Sequence, residues 1–288
     1  MNNTVCAGIV LYHPEEQRFL SVLGAVMPQV RDIVIINNGS EKDLTVLKDI
    51  NAQGRITVIQ NSRNEGVAAA FNQILSFAKK EGYEWVILLD QDSVLSRGAV
   101  EKMLRLTKAE YAGLICPVVY DEKRRKRLTP RGGMIVRSAL TVISSGSLIS
   151  VSAALSVGGF REELFVDMVD FDFNERLIRA GYRLLRCRNA AIFHELGDSA
   201  HSRAARSHSA QRLYYMSRNA EDFLHRYRQK NAAAKLQLFV AKTATKLRII
   251  LSENDKKAKL AAIRQGRRDH RKMRFEELLR RHEADNSE

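Results

Sequence analysis

Trp85-Val86-Ile87-Leu88-Leu89, followed at once by Asp90-Gln91-Asp92, is the stretch on which the fold turns. Five apolar residues without a polar break read as a strand buried on both faces, and such strands belong to sheets covered by helices on each side. Val5 to Tyr12, Ile33 to Ile36, Arg55 to Gln60 and Leu114 to Val119 are runs of the same kind, each bounded by polar or glycine residues. Between the runs lie stretches with helical periodicity: Glu15 to Val26, Lys42 to Ile50, Val67 to Lys80 and Ala99 to Lys108. The alternation predicts an α/β fold with a mostly parallel sheet flanked by helices. Ligands of such sheets sit at the carboxyl ends of the strands. That rule marks Tyr12, Asn37-Asn38-Gly39-Ser40, Asn61 and Asp90, all of which follow strands.

Beyond about residue 130 the pattern changes. Met134 to Val151 reads as one or two strands interrupted at Ser144-Ser145-Gly146-Ser147, and Gly158-Gly159-Phe160 reads as a turn. A helix is expected from about Asp170 to Ala180, stopped by Gly181, and then a strand from Tyr182 to His194. From roughly residue 205 onward the chain is helix-like with no strand signal. Charge divides it at the same place. Residues 1–202 carry a net +2, residues 203–281 a net +15, and the whole chain of 288 residues +14. The expected organisation is a nearly neutral body, 1–204, and a basic helical C-terminal region, 205–288.

Cys6, Cys116 and Cys187 lie far apart inside apolar runs, which suits buried reduced thiols and a cytoplasmic location rather than a disulfide framework. The N-terminus lacks a basic n-region, and no apolar stretch approaches bilayer-spanning length. Neither secretion nor integration into a membrane is expected.

Asp90 and Asp92 are delivered to the ligand edge by the buried strand before them. Carboxylates there suit a hard divalent cation, Mg2+ or Mn2+, that bridges to substrate phosphates. By its letters alone the motif is also a solvated turn or a helix N-cap. A second acidic cluster, Asp167, Asp170, Asp172 and Glu175, lies among Phe165, Val169, Phe171 and Phe173. Acids at a helix N-terminus account for one or two of these; a general base for a hydroxyl nucleophile needs one well-placed carboxylate. His194 closes a strand and is either a packed residue or a ligand. Asn64-Glu65-Gly66 opens a small-residue helix, a turn that lets a ligand or another backbone come close.

Together these pieces resemble the family 2 glycosyltransferases, and more narrowly the bacterial rhamnosyltransferases among them. The resemblance runs from Val5 to Tyr227 and more weakly to His270, with the pieces in family order. Asp90-Gln91-Asp92-Ser93, Ser145-Gly146-Ser147 and Arg212-Leu213-Tyr214-Tyr215 with Arg218-Asn219 point to the rhamnosyl branch. The resemblance implies a GT-A, Rossmann-like fold over the body and inverting transfer of a sugar from a nucleotide donor. It implies Asp92 and His194 as metal contacts, Asp90 as a nucleotide-sugar contact and Asp170 as the catalytic base. Tyr12, with Asn37 and Asn64 near it, would face the nucleobase, and Arg212 and Arg218 the diphosphate or the acceptor. Asn37 stands where the family commonly has Asp, so a base contact is changed or relayed by Asp43; Val169 replaces a Glu, in the manner of the rhamnosyl branch. The implied donor is dTDP-rhamnose and the acceptor a glycan or lipid-linked glycan of the cell surface. The alternatives are a UDP-hexose donor or a binding protein without catalysis.

In the basic region Leu236, Phe239, Val240, Leu247, Ile250 and Leu251 recur at helical spacing among Lys235, Lys242, Lys246 and Arg248. Such a helix either packs on the body or lies at the cytoplasmic face of a membrane, where cations meet anionic headgroups. Arg264 to Arg274 reads as a second amphipathic helix that would contact another subunit. No nucleic-acid module accompanies the basic residues, and no nucleic-acid partner is expected.

Overall fold

In the computed structural model the Trp85 to Leu89 run forms β4 (Trp85–Asp90), the strand around which the sheet is built. Residues 4–40, 54–123, 126–129, 131–194, 208–228 and 232–285 are described. The helix expected over Lys42 to Ile50, with Asp43, lies outside them, as does the 204/205 boundary. Contacts divide the chain into two units. The first comprises 1–165 and 169–196, the second 166–168 and 197–288.

The first unit holds a ten-stranded sheet. Beside β4 lie β1 (Val5–Leu11), β2 (Ile33–Asn38) and β3 (Ile56–Asn61) on one side, and β9 (Leu148–Ser150), β6 (Ala112–Asp121), β10 (Arg183–His194) and β5 (Ser93–Leu95) on the other. Two-residue strands β7 (Lys126–Arg127) and β8 (Ile135–Val136) pair with β6 and β10. β1 runs parallel to β2 and β4, β2 to β3, and β6 to β10, while β9 is antiparallel to both β4 and β6. The six long strands therefore all point one way. Their carboxyl ends, from Leu11 and Asn38 through Asp90 to Asp121 and His194, share one edge.

Both faces of the sheet are apolar because the strands carry hydrophobic residues at consecutive positions. Ala7, Ile9, Trp85, Ile87 and Leu89 point to one core, which receives α1 (Glu16–Val26) and α3 (Ala99–Leu104). Cys6, Val34, Val86 and Leu88 point to the other, with α2 (Val67–Lys80), α4 (Val151–Ser156) and α5 (Val169–Arg179). Phe19, Val22, Leu23 and Val26 are the buried stripe of α1, and Glu15 caps that helix by accepting from the Gln17 and Arg18 amides. All three cysteines are buried and free.

One expectation changes in detail. α3 ends at Leu104 rather than Lys108, and there the Thr107 hydroxyl donates to the Leu104 carbonyl, which competes with helical pairing. Met134 to Val151 yields the two strands β8 and β9, as expected. Between them the serine-rich break is bonded to β4 through Gly146 N–H to Leu88 O and Leu88 N–H to Ser147 O.

The second unit is helical: α6 (Ala210–Arg228), α7 (Ala232–Ser252) and α8 (Lys256–Asp285). Leu213, Ile249 and Ile263 form its small core. Glu253, fully buried, pairs with Arg248 at 2.8 Å and Lys259 at 2.9 Å. Removing one member of such a group would strand the others without water, so it fixes how the helices meet. Arg212 and Asn219 of α6 hold the 166–168 segment, Arg212 at 3.2 Å from the Asp167 carboxylate and Asn219 donating to the Val166 and Asp167 carbonyls.

Candidate active site

The ends of β1 and β4 are tied together by a side chain the sequence reading left without a role. Gln91 accepts from the Tyr12 amide at 2.8 Å and donates to the Tyr12 carbonyl at 3.2 Å. This fixes the loop that carries Asp90 and Asp92 against the end of β1 and leaves the Tyr12 ring half exposed at the edge. The Asp90 amide donates to the Ser145 hydroxyl at 3.0 Å, so the Ser-Gly-Ser break braces the same loop from the β9 side.

Asp90, Asp92 and His194 each bring one ligand atom into a group whose members lie within 4.8 Å of one another. β5 brings His194 there: Ser93, opposite His194 in the β5–β10 pairing, bonds its Nδ1 at 2.7 Å, and Asp92 Oδ1 lies 3.4 Å from the same nitrogen. Two carboxylates and an imidazole are a suitable donor set for Mn2+ or Mg2+. The separation of Asp90 from the metal contacts, expected from sequence, is not imposed by the geometry, because all three side chains converge.

Arg18 is a second residue that the sequence did not mark. From α1 its Nε donates to the Asp92 carbonyl at 2.8 Å, another nitrogen donates to the Phe193 carbonyl at 3.3 Å, and the third pairs with Glu122 at 2.6 Å. One guanidinium thus joins the acidic loop, the residue before His194 and the end of β6. Its partners are far away in sequence and two are backbone carbonyls, so no motif reveals them.

The acids of the second cluster separate once their partners are seen. Asp172 is buried between Arg161 at 3.0 Å and Arg176 at 2.9 Å. Glu175 pairs with Arg179 and Asp167 with Arg212. Asp170, half buried in the first turn of α5, lies near enough for its charge to act on Asp90. Burial above all, then the Asp92 and Asp170 charges, push the Asp90 carboxyl up to about 7. The site thus concentrates negative charge before a cation neutralises it.

Asn37 and Asn64 shape turns. Asn37, buried, donates to Gln60 Oε1 and the Ser40 carbonyl and accepts from the Ser40 amide. Asn64 accepts from the Gly66 amide and from Asn38. Gly66 has φ +86°, and a Cβ on it would fall 2.6–2.8 Å from Phe165 atoms; the next amide, Val67, donates to the Phe165 carbonyl. What comes close to this turn is therefore another backbone. Arg212 and Arg218 belong to the second unit, where Arg218 lies over the Tyr214 and Tyr215 rings and bonds Asn219.

A pocket of about 420 Å³ opens beside His194 and Ser145, lined mainly by apolar groups, among them Val119, Leu140, Val142 and Phe171. Asn174 of α5 keeps one wall in place by donating to the Ala139 and Val142 carbonyls.

This sheet order, with an acidic pair at the end of the central strand and a histidine across from it, is the frame of a GT-A glycosyltransferase. The chain is similar to the solved structure of GalNAc-T7 with UDP, GalNAc and Mn2+, with a TM-score of 0.58 at 15% identity over 76% of this chain and 48% of that one. It thus spans about half the length of that protein. The profile of glycosyl transferase family 2 matches residues 9–158, and the chain belongs to that family. Among curated relatives, the dTDP-rhamnosyl transferase RfbF of Shigella flexneri is 27% identical over 76% of this chain and 79% of its own length. The galactofuranosyltransferase GlfT1 of Mycobacterium tuberculosis is 24% identical over 69% and 72%. The N-acetylglucosaminyl-diphospho-decaprenol L-rhamnosyltransferase of the same species is 25% identical over 65% and 73%. The chain is rhamnosyltransferase-like, and its role is glycosyl transfer.

Proposed function

We propose that the protein transfers L-rhamnose from dTDP-rhamnose, with inversion, to a hydroxyl of a lipid-linked glycan. The observation that carries the mechanism is placement: Asp170, in the first turn of α5, lies near enough for its charge to act on Asp90, a member of the Asp90–Asp92–His194 group. In this reading Asp90, Asp92 and His194 would hold Mg2+ or Mn2+, which supplies charge neutralisation to the departing diphosphate. Asp170 accepts the proton of the acceptor hydroxyl as its oxygen bonds to the anomeric carbon. The bond from that carbon to the nucleoside diphosphate breaks in the same displacement. Attack from the face opposite the leaving group inverts the configuration. Tyr12 offers an exposed ring to the nucleobase, and the Asn37 and Asn64 turns shape the floor beneath it.

The donor assignment is supported by the two rhamnosyltransferase relatives and the acceptor class by the decaprenol-linked substrate in the name of one of them. The similarity to GlfT1 keeps a second reading, another nucleotide sugar such as a UDP-hexose, on the table. Incubating the purified protein and Mn2+ with a donor panel and a lipid-linked acceptor tests both. Rhamnosyl product from dTDP-rhamnose, with the anomeric configuration inverted by NMR, is the expected result. Turnover confined to UDP-sugars overturns the donor assignment, and retention of configuration overturns the mechanism.

A further inference from the structure

Helix α7 presents an apolar face that no described residue of its unit covers. Leu236, Phe239, Val240, Leu247, Ile250 and Leu251 are 48–77% exposed. At 3.6 residues per turn these six fall within about 120° of one another around the helix axis, so they form one stripe and not scattered contacts. The inward face is already satisfied, because Ile249, on the far side of the helix, is fully buried against Leu213 and Ile263. Single exposed leucines are ordinary, but a contiguous stripe of this length marks a surface that meets something.

Charge decides what it meets. Residues 232–252 contain Lys235, Lys242, Lys246 and Arg248 and not one acid; Lys242 pairs with Glu221 and Arg248 with Glu253, both outside the helix. The surrounding 203–281 segment carries a net +15. A second copy of the same helix would bring cations against cations with no acid in the helix to pair them, the opposite of what two-stranded helical pairing needs. Among the described residues no helix is long and apolar enough to cross a bilayer. We infer that α7 docks in the plane of an anionic lipid surface, with the Leu236–Leu251 stripe in the acyl boundary and Lys246, with the other cations of the basic segment, facing the headgroups. This inference does not depend on the donor.

The test is co-sedimentation of the full-length protein with vesicles of phosphatidylcholine and phosphatidylglycerol in equal parts, against pure phosphatidylcholine. The expected result is binding to the anionic vesicles only, weakened by salt. The triple variant Phe239→Ser/Leu247→Ser/Leu251→Ser should lose binding by about tenfold or more, with its unfolding transition and glycosyl transfer to a soluble acceptor unchanged. If that variant fails to fold, Leu251→Ser alone, at the most exposed position, reads the same loss on a smaller scale. Equal binding by wild type and variants overturns the inference, as does failure to bind anionic vesicles. So does a dimer seen by light scattering that the substitutions dissolve without vesicle binding, which would assign the face to a second copy.

Discussion

Asp170 and Asp172 are two residues apart on one helix, and the proposed mechanism gives them different work. Asp172 is buried with an arginine on each oxygen, so Asp172→Asn leaves Arg161 and Arg176 short of a counter-charge, at a cost of about 3–5 kcal/mol. Urea unfolding should show that loss directly. In the proposed mechanism Asp170→Asn removes the proton acceptor, so the expected result is a fall in kcat of about a thousandfold with the unfolding curve unchanged. A variant with full activity would remove Asp170 from the mechanism. Arg18 acts through others: it touches the Asp92 and Phe193 carbonyls and so positions the residues that would meet a cation. Arg18→Met should weaken Mn2+ binding by about tenfold or more, measured by titrating the Mn2+-induced rise in melting temperature.

At the scale of elements, β4 was plain in the sequence because five apolar residues ending in two carboxylates leave little choice of structure or of edge. α5 and β10 were equally visible, since Gly181 separates a helical period from a strand-like run. What the sequence did not show is made by distant partners. β5 is three residues long and exists because a neighbouring strand offers backbone groups to pair with. Gln91 and Arg18 look like surface polar residues until the ends of β1, β6 and β10 are brought beside them. The Asn64-Glu65-Gly66 turn was visible as a turn, but Phe165, its neighbour, is a hundred residues on. Gly66→Ala places a Cβ against Phe165 at a φ that L-residues avoid, and it should destabilise the protein by about 1–3 kcal/mol in denaturant titrations.

The stability of the whole molecule should register the acidity of the site. The Asp90 carboxyl, ordinarily near 3.8, is raised to about 7 in the fold, so in that interval the native state keeps a proton that the unfolded chain has released. The native state binding more protons means that stability of the cation-free protein falls as pH rises from about 4 to about 7. Asp90→Asn should flatten that slope in melting curves taken across the interval. Binding of Mn2+ displaces the same proton, so its apparent affinity should increase with pH through the interval and level off above it. Saturation with Mn2+ at one hundred times its Kd would add about 2.7 kcal/mol to the folded state.

The contact of Gly66 with Phe165 also constrains how the sequence can drift through descent. Since the Val67 amide bonds the Phe165 carbonyl and a Cβ at position 66 would meet Phe165, positions 66 and 165 are expected to be inherited as a unit. A lineage that gives up glycine at the first position must also have rebuilt the backbone at the second, a few residues before Asp170. An alignment of relatives should show the two segments changing together or not at all.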